Sequence, residues 1–163
     1  MRVDRCILSL ALVAAGAAHA AGTVNVEFVA PASYADAGNT RADEPANREA
    51  LAQHLRELGR RYLADGEVLQ VSVLDIDLAG TVRPGRRGDI RTEKGGADWP
   101  RIKLRYSLRA GDKVMQSAEE TVQNLNYLHD RTEYGSSERL RHEKRMLDDW
   151  FKARFVEHRP AAG

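Results

Sequence analysis

The chain has 163 residues, of which 42% are hydrophobic and 30% charged, and its 25 lysines and arginines against 24 acidic residues leave a formal charge of +1. That balance argues against a general nucleic-acid binder, which needs a surplus of cations on one face. The single cysteine, Cys6, rules out an intrachain disulfide and any multi-thiolate metal site.

Residues 1–20 predict an export signal. Arg2 and Arg5 precede an apolar run from Cys6 to Ala15, and Ala18-His19-Ala20 is a small-x-small cleavage site before Ala21. The run is shorter than the roughly 18 apolar residues a spanning helix needs, and no later segment approaches that length. Cleavage after Ala20 takes Arg2, Arg5, Asp4 and the only cysteine with it, so the remaining domain is formally neutral and folds by packing alone. Cys6 stands at the start of the apolar run instead of following it, which is not the arrangement of a lipid-anchored protein. With no Asn-x-Ser/Thr acceptor in the chain, the expected address is the bacterial periplasm or the exterior. Residues 21–163 are expected to form one domain, of a size that buries about two-thirds of its unfolded surface.

From Val24 to Ala30, Val24, Val26 and Phe28 alternate with polar residues, the period of a half-buried strand. Pro31 to Asn47 lacks an apolar period and reads as a surface loop, at whose end Asp43 or Asn47 caps a helix carrying Leu51, Leu55, Leu58 and Tyr62. Val68 to Leu78 has apolar residues on both parities, which predicts a central strand covered on both faces. Residues 80–98 hold five glycines and four arginines without a period and read as a long mobile loop. Ile102, Leu104, Tyr106 and Leu108 alternate with polar residues, Ala110-Gly111-Asp112 makes a tight turn, and Lys113 to Val122 returns as an edge strand. After an irregular segment from Gln123 to Ser137, Ser136 or Ser137 caps a last helix. Its stripe is Leu140, Leu147, Trp150, Phe151 and Phe155, with Met146 at the margin, and its tail frays after Phe155. The fold expected is α+β: a two-layer sandwich, one sheet of about four strands with two helices packed on one face.

No local catalytic signature is present: there is no Gly-x-Ser-x-Gly elbow and no phosphate-binding Gly-x4-Gly-Lys. Asp75-Ile-Asp-Leu-Ala-Gly80 begins like a calcium loop, but Ala79 and Arg86 stand where ligands belong, so Asp75 and Asp77 are expected to pair with Lys103 or Arg105 across the sheet. His142-Glu143 begins like a zinc-protease helix, but Met146 replaces the second histidine, which leaves surface histidines as the reading. In the segment Asn124 to His129, Leu125, Tyr127 and Leu128 are expected to pack onto the core. On the last helix Lys144 and Asp148, and Arg145 and Asp149, stand one turn apart as ion pairs. The densest positive run is Arg83-Pro-Gly-Arg86-Arg87-Gly-Asp89 with Arg91 and Lys94, and Trp99 at its far end offers a stacking surface. Guanidinium forks among glycines suit phosphate or carboxylate groups; the alternative is a solvated hairpin tip.

Val24-x-Val-x-Phe28, Asp75 to Gly80, Trp99-Pro-Arg-Ile102, Asn126-Tyr-Leu128 and Glu143 to Phe151, in that order, resemble the exported bacterial proteins grouped as domain of unknown function family 3016 (DUF3016). The resemblance implies a bacterial exported domain and assigns no residue a role. The function expected is therefore a non-enzymatic binding or envelope-accessory domain without a cofactor. Its partner would be an anionic envelope component or another envelope protein, met through Arg83, Arg86, Arg87 and Trp99. A hydrolase using Asp75, Asp77 and His129, and a calcium-stabilised domain, stand as alternatives.

Overall fold

The computed structural model describes residues 21–129, 134–135 and 137–157. In chain order the elements are β1 (Thr23–Phe28), α1 (Glu44–Tyr62), β2 (Glu67–Asp77), β3 (Thr81–Arg83), β4 (Ile90–Thr92), β5 (Arg101–Ala110), β6 (Lys113–Gln123) and α2 (Arg141–Lys152). Four of the strands form a mixed sheet in the order β1-β2-β5-β6, and β3 and β4 form a second, two-stranded sheet. β1 runs parallel to β2, as the α1 crossover requires, and the other pairs are antiparallel. The fold is the α+β arrangement the patterns predict.

Register explains the core. Leu69 lies opposite Leu108, Val71 opposite Tyr106 and Val73 opposite Leu104, and all six are buried in one cluster with Leu51, Leu55 and Leu58 of α1 and Leu147, Phe151 and Phe155 from α2 and the turn after it. Both helices therefore cover the same face. The apolar residues of β2 on both parities do not mean two covered faces. A bulge between Val73 and Asp75 shifts the register, so Ile76 turns back to the core opposite Ile102 while Asp75 and Asp77 face away from it. Gln70 on the other face is exposed.

α1 packs against β1 at Gly59, where an added Cβ would overlap Val24 Cγ2. Asp43 holds the predicted N-cap position of α1, but its side chain caps no helix amide. The Asp43 carboxylate accepts the amide and hydroxyl of Thr40, and Asn47, inside the first turn, donates Nδ2 to Ala37 O at 2.9 Å. The last helix also starts later than expected. Ser137 lies outside it, Ser136 lies outside the described residues, and Leu140 holds the N-cap position with φ 58 and no side-chain cap.

Met146 is 3% exposed and belongs to the core instead of its margin. Trp150 and Phe155 meet Tyr106 edge-on, at 5.7 and 5.4 Å between centroids. Of the two predicted helix pairs, Arg145–Asp149 forms at 3.1 Å, whereas Lys144 pairs with Glu138 and Asp148 with His54. Tyr127 is buried at 2% with its hydroxyl donated to Asp98, but Leu125 and Leu128 are exposed, against the expectation that all three pack onto the core.

Candidate functional site

The stretch 80–98 is not one irregular loop: Thr81↔Thr92, Val82↔Arg91 and Arg83↔Ile90 pair as a hairpin. Gly80 begins it with φ +84, and a Cβ there would lie 2.8 Å from Thr92 O, so the residue must be glycine. Arg83, Arg86 and Arg87 are exposed on this hairpin, and among the described residues none of them has an acidic partner. Arg91, from the same basic run, turns inward instead. Its NH1 and NH2 donate to the two Asp36 oxygens at 3.0 and 2.8 Å, its Nε to Asn39 Oδ1 at 2.9 Å and its NH1 also to Ala79 O at 3.1 Å. Trp99 is half-buried, with its Nε1 buried and unpartnered and the Arg101 guanidinium 5.5 Å from its ring centroid. It carries a cation already and is not a free stacking platform.

Asp75 and Asp77 do not pair with Lys103 and Arg105. Asp75 accepts the Ala35 amide at 2.8 Å and Asp77 accepts Arg101 Nε at 3.1 Å, while both expected cations go to Glu119 on β6. Both cations stand on β5, the direct neighbour of β6, where Arg105 lies opposite Glu119 and Lys103 is one pair away on the same face. The recess that Asp77 lines contains neither Asp75 nor His129, so the residues of the carboxylate–imidazole alternative do not share it. Among the described residues no cluster of three or more His, Cys, Asp or Glu side chains could hold a metal ion.

A different place collects polar chemistry: a cleft of about 290 Å³ between residues 39–47, Leu78 and Ala79 just after β2, the β4 end of the hairpin and the start of α2. Glu143 is the most buried charged residue of its lining. The side chain is on the apolar stripe of α2, one turn before Leu147 and two before Trp150, and is 3% exposed. It accepts the Ala79 amide at 2.7 Å, and no cation is ion-paired to it among the described residues. Burial pushes its carboxyl up, against smaller lowering effects of the Ala79 and Glu143 amides and the nearby His142 and Arg91.

His142, 7% exposed, is not a surface histidine. Its Nε2 lies 3.0 Å from Arg141 Nε and 3.1 Å from Glu93 Oε2. The first contact requires an unprotonated nitrogen and the second a protonated one, so the imidazole tautomer selects its partner. Tyr127 meets the ring edge-on at 4.8 Å and donates its hydroxyl to Asp98 Oδ1 at 2.9 Å. Burial pushes the Tyr127 phenol up to about 12, so it stays a donor at any ordinary pH.

A family model described as protein of unknown function, DUF3016, matches residues 22–153. The chain belongs to the DUF3016 family. No curated protein and no solved structure matches it. The matched span runs from β1 through the end of α2, so the hairpin and the cleft are both parts of the DUF3016 domain and not additions to it. No helix among the described residues is long and apolar enough to cross a membrane.

The sequence signal for the cleft was present in the DUF3016 chain but easily misread. Glu143 is a carboxylate at a core position of an amphipathic stripe, and such a group is buried only with a partner or a function.

Proposed function

We propose that this DUF3016 domain is an exported, non-enzymatic binding module that holds an anionic component of the bacterial envelope through the β3–β4 hairpin. The observation that carries this reading is a contrast among arginines. Arg91, Arg101, Arg105, Arg141 and Arg154 are each ion-paired, whereas Arg83, Arg86 and Arg87 share one exposed hairpin with no acidic partner among the described residues. An unpaired guanidinium keeps its planar fork free for a phosphate or carboxylate. Several on one tip give attachment that depends steeply on ionic strength. Export is supported by Arg2, Arg5, the apolar run that follows and Ala18-His19-Ala20.

The test has two arms. The full chain is produced in a bacterial host and fractionated, and the purified product is measured for retention on vesicles containing phosphatidylglycerol as salt is raised. Recovery outside the cytoplasm with a new N-terminus at Ala21 is expected, and recovery in the cytoplasm uncut removes the export part. Replacing Arg83, Arg86 and Arg87 by alanine should abolish salt-sensitive retention; retention equal to that of the parent chain removes the hairpin as the binding element.

A further inference from the structure

The cleft at the start of α2 does not use the three exposed hairpin arginines, and its chemistry is of another kind. Most of its charges are already spent on one another. Arg91 is held by Asp36, Arg141 NH2 by Glu93 Oε2 at 2.8 Å, and Glu138 by Lys144. Arg139 donates NH1 to an uncharged acceptor, Asn47 Oδ1, at 3.1 Å. A small anion drawn to Arg139 would also face the Glu93 and Glu138 carboxylates, and a cation would face the Arg91, Arg139 and Arg141 guanidiniums, so the mixed lining favours neither over a neutral ligand.

What the paired groups leave over is a mixture of single donors and acceptors. Asn39 uses Oδ1 on Arg91 and keeps its amide nitrogen. Glu93 uses Oε2 on Arg141 and keeps Oε1. Arg139 keeps the rest of its fork, and it and Asn39 are both exposed at the rim. Glu143 also lines the cleft: its Oε1 is used by the Ala79 amide, its Oε2 remains, and burial pushes the carboxyl up, toward the form that both donates and accepts. Such a lining suits a ligand that carries no net charge, offers donors and acceptors alternately, and needs little apolar contact. Hydroxyl groups on adjacent carbons meet that description, since each donates once and accepts twice. The volume, at the lower end of small-ligand pockets, suits a single ring.

We propose that this cleft binds a neutral polyhydroxyl ligand, one sugar ring, through Asn39 and Arg139 at the rim and through Glu93 and Glu143, which line the same cleft. The site is independent of the hairpin, and either can fail without the other.

The experiment is a calorimetric titration of the purified chain with glucose and with N-acetylglucosamine, followed by competition with glucose 6-phosphate. Saturable binding of at least one neutral sugar is expected, with glucose 6-phosphate displacing it at least about ten-fold less well than free glucose does, because its phosphate would face the Glu93 and Glu138 carboxylates that line the cleft beside Arg139. Competition confines the readout to the cleft, so phosphate held by the hairpin does not enter it. The double variant Asn39→Ala/Arg139→Ala should bind at least about ten-fold more weakly. Asn39→Asp, which keeps the oxygen on Arg91 and removes the amide donor, should weaken binding in the same direction even if the double variant does not fold. Absence of binding by both neutral sugars, equal displacement by glucose 6-phosphate, or parent-like affinity in the rim variants overturns the proposal.

Discussion

Glu143 in the first turn of α2 accepts the backbone amide of Ala79, 64 residues earlier in the chain, at 2.7 Å, with both residues at 3% exposure. This bond ties the last helix to the chain just beyond the bulged central strand. It also satisfies a backbone donor that burial would otherwise strand. The same carboxyl therefore closes the core and lines the cleft.

The Glu143 carboxyl is pushed up by burial, which makes a definite claim about pH. A carboxyl raised in the folded state contributes its stability fully below its unfolded value, about 4.3, and loses it as pH rises through the folded value. Glu143→Gln keeps an oxygen for the Ala79 amide and cannot ionise. It should exceed the parent chain in stability at pH 7–8, and the difference should close below about pH 4. Glu143→Ala should instead be less stable throughout, by about 1–3 kcal/mol, because the amide is left unsatisfied. Urea unfolding of the three chains across this range measures both effects.

Asp148 behaves oppositely. Burial works against its ionised form, but hydrogen bonds from His54 Nε2 and the Tyr134 hydroxyl, both at 2.8 Å, outweigh it and hold the carboxyl below its ordinary range. A lowered carboxyl contributes stability above its unfolded value, about 3.9, and loses it as pH falls through the folded value. Asp148→Asn should cost about 1–3 kcal/mol at pH 7, a deficit that shrinks as acid protonates the parent carboxylate. Melting curves at pH 7 and in steps down to pH 2 decide it. A deficit that stays constant into acid would contradict the ionic account.

Arg91→Lys tests whether the inward arginine is a fork or merely a charge. A lysine ammonium cannot reproduce the paired bonds to Asp36 together with those to Asn39 and Ala79. A loss of about 1–3 kcal/mol is expected, read as a drop of several degrees in melting temperature. Arg86→Ala, on the exposed tip, should stay within about 0.5 kcal/mol of the parent chain. Equal effects at the two positions would show that Arg91 is not a structural tie.

Arg91 and Arg86 lie five positions apart in one basic run, and nothing in their spacing separates the tie from the free cation. Asp36, more than fifty residues away, makes the distinction when it joins the edge of the central strand beside Asp77. β3 and β4 were equally hidden, because strands of three residues are too short to show a period. In β2 the bulge disguised a one-sided strand as a two-sided one, since one extra residue exchanges the parities. His142 read as a surface histidine, and its burial came only with the fold that sets the Tyr127 ring against it, just as the Ala79 amide that Glu143 accepts is 64 residues away in the chain.

Local pattern alone determines the long strands and both helices, because period two and period 3.6 leave a regular trace whenever one side meets a core. The fate of each charge and of each buried polar group was decided by the tertiary structure. Those groups are satisfied by partners tens of residues away, and a buried carboxyl or guanidinium is distinguished from a solvated one only by what the fold brings within hydrogen-bonding distance.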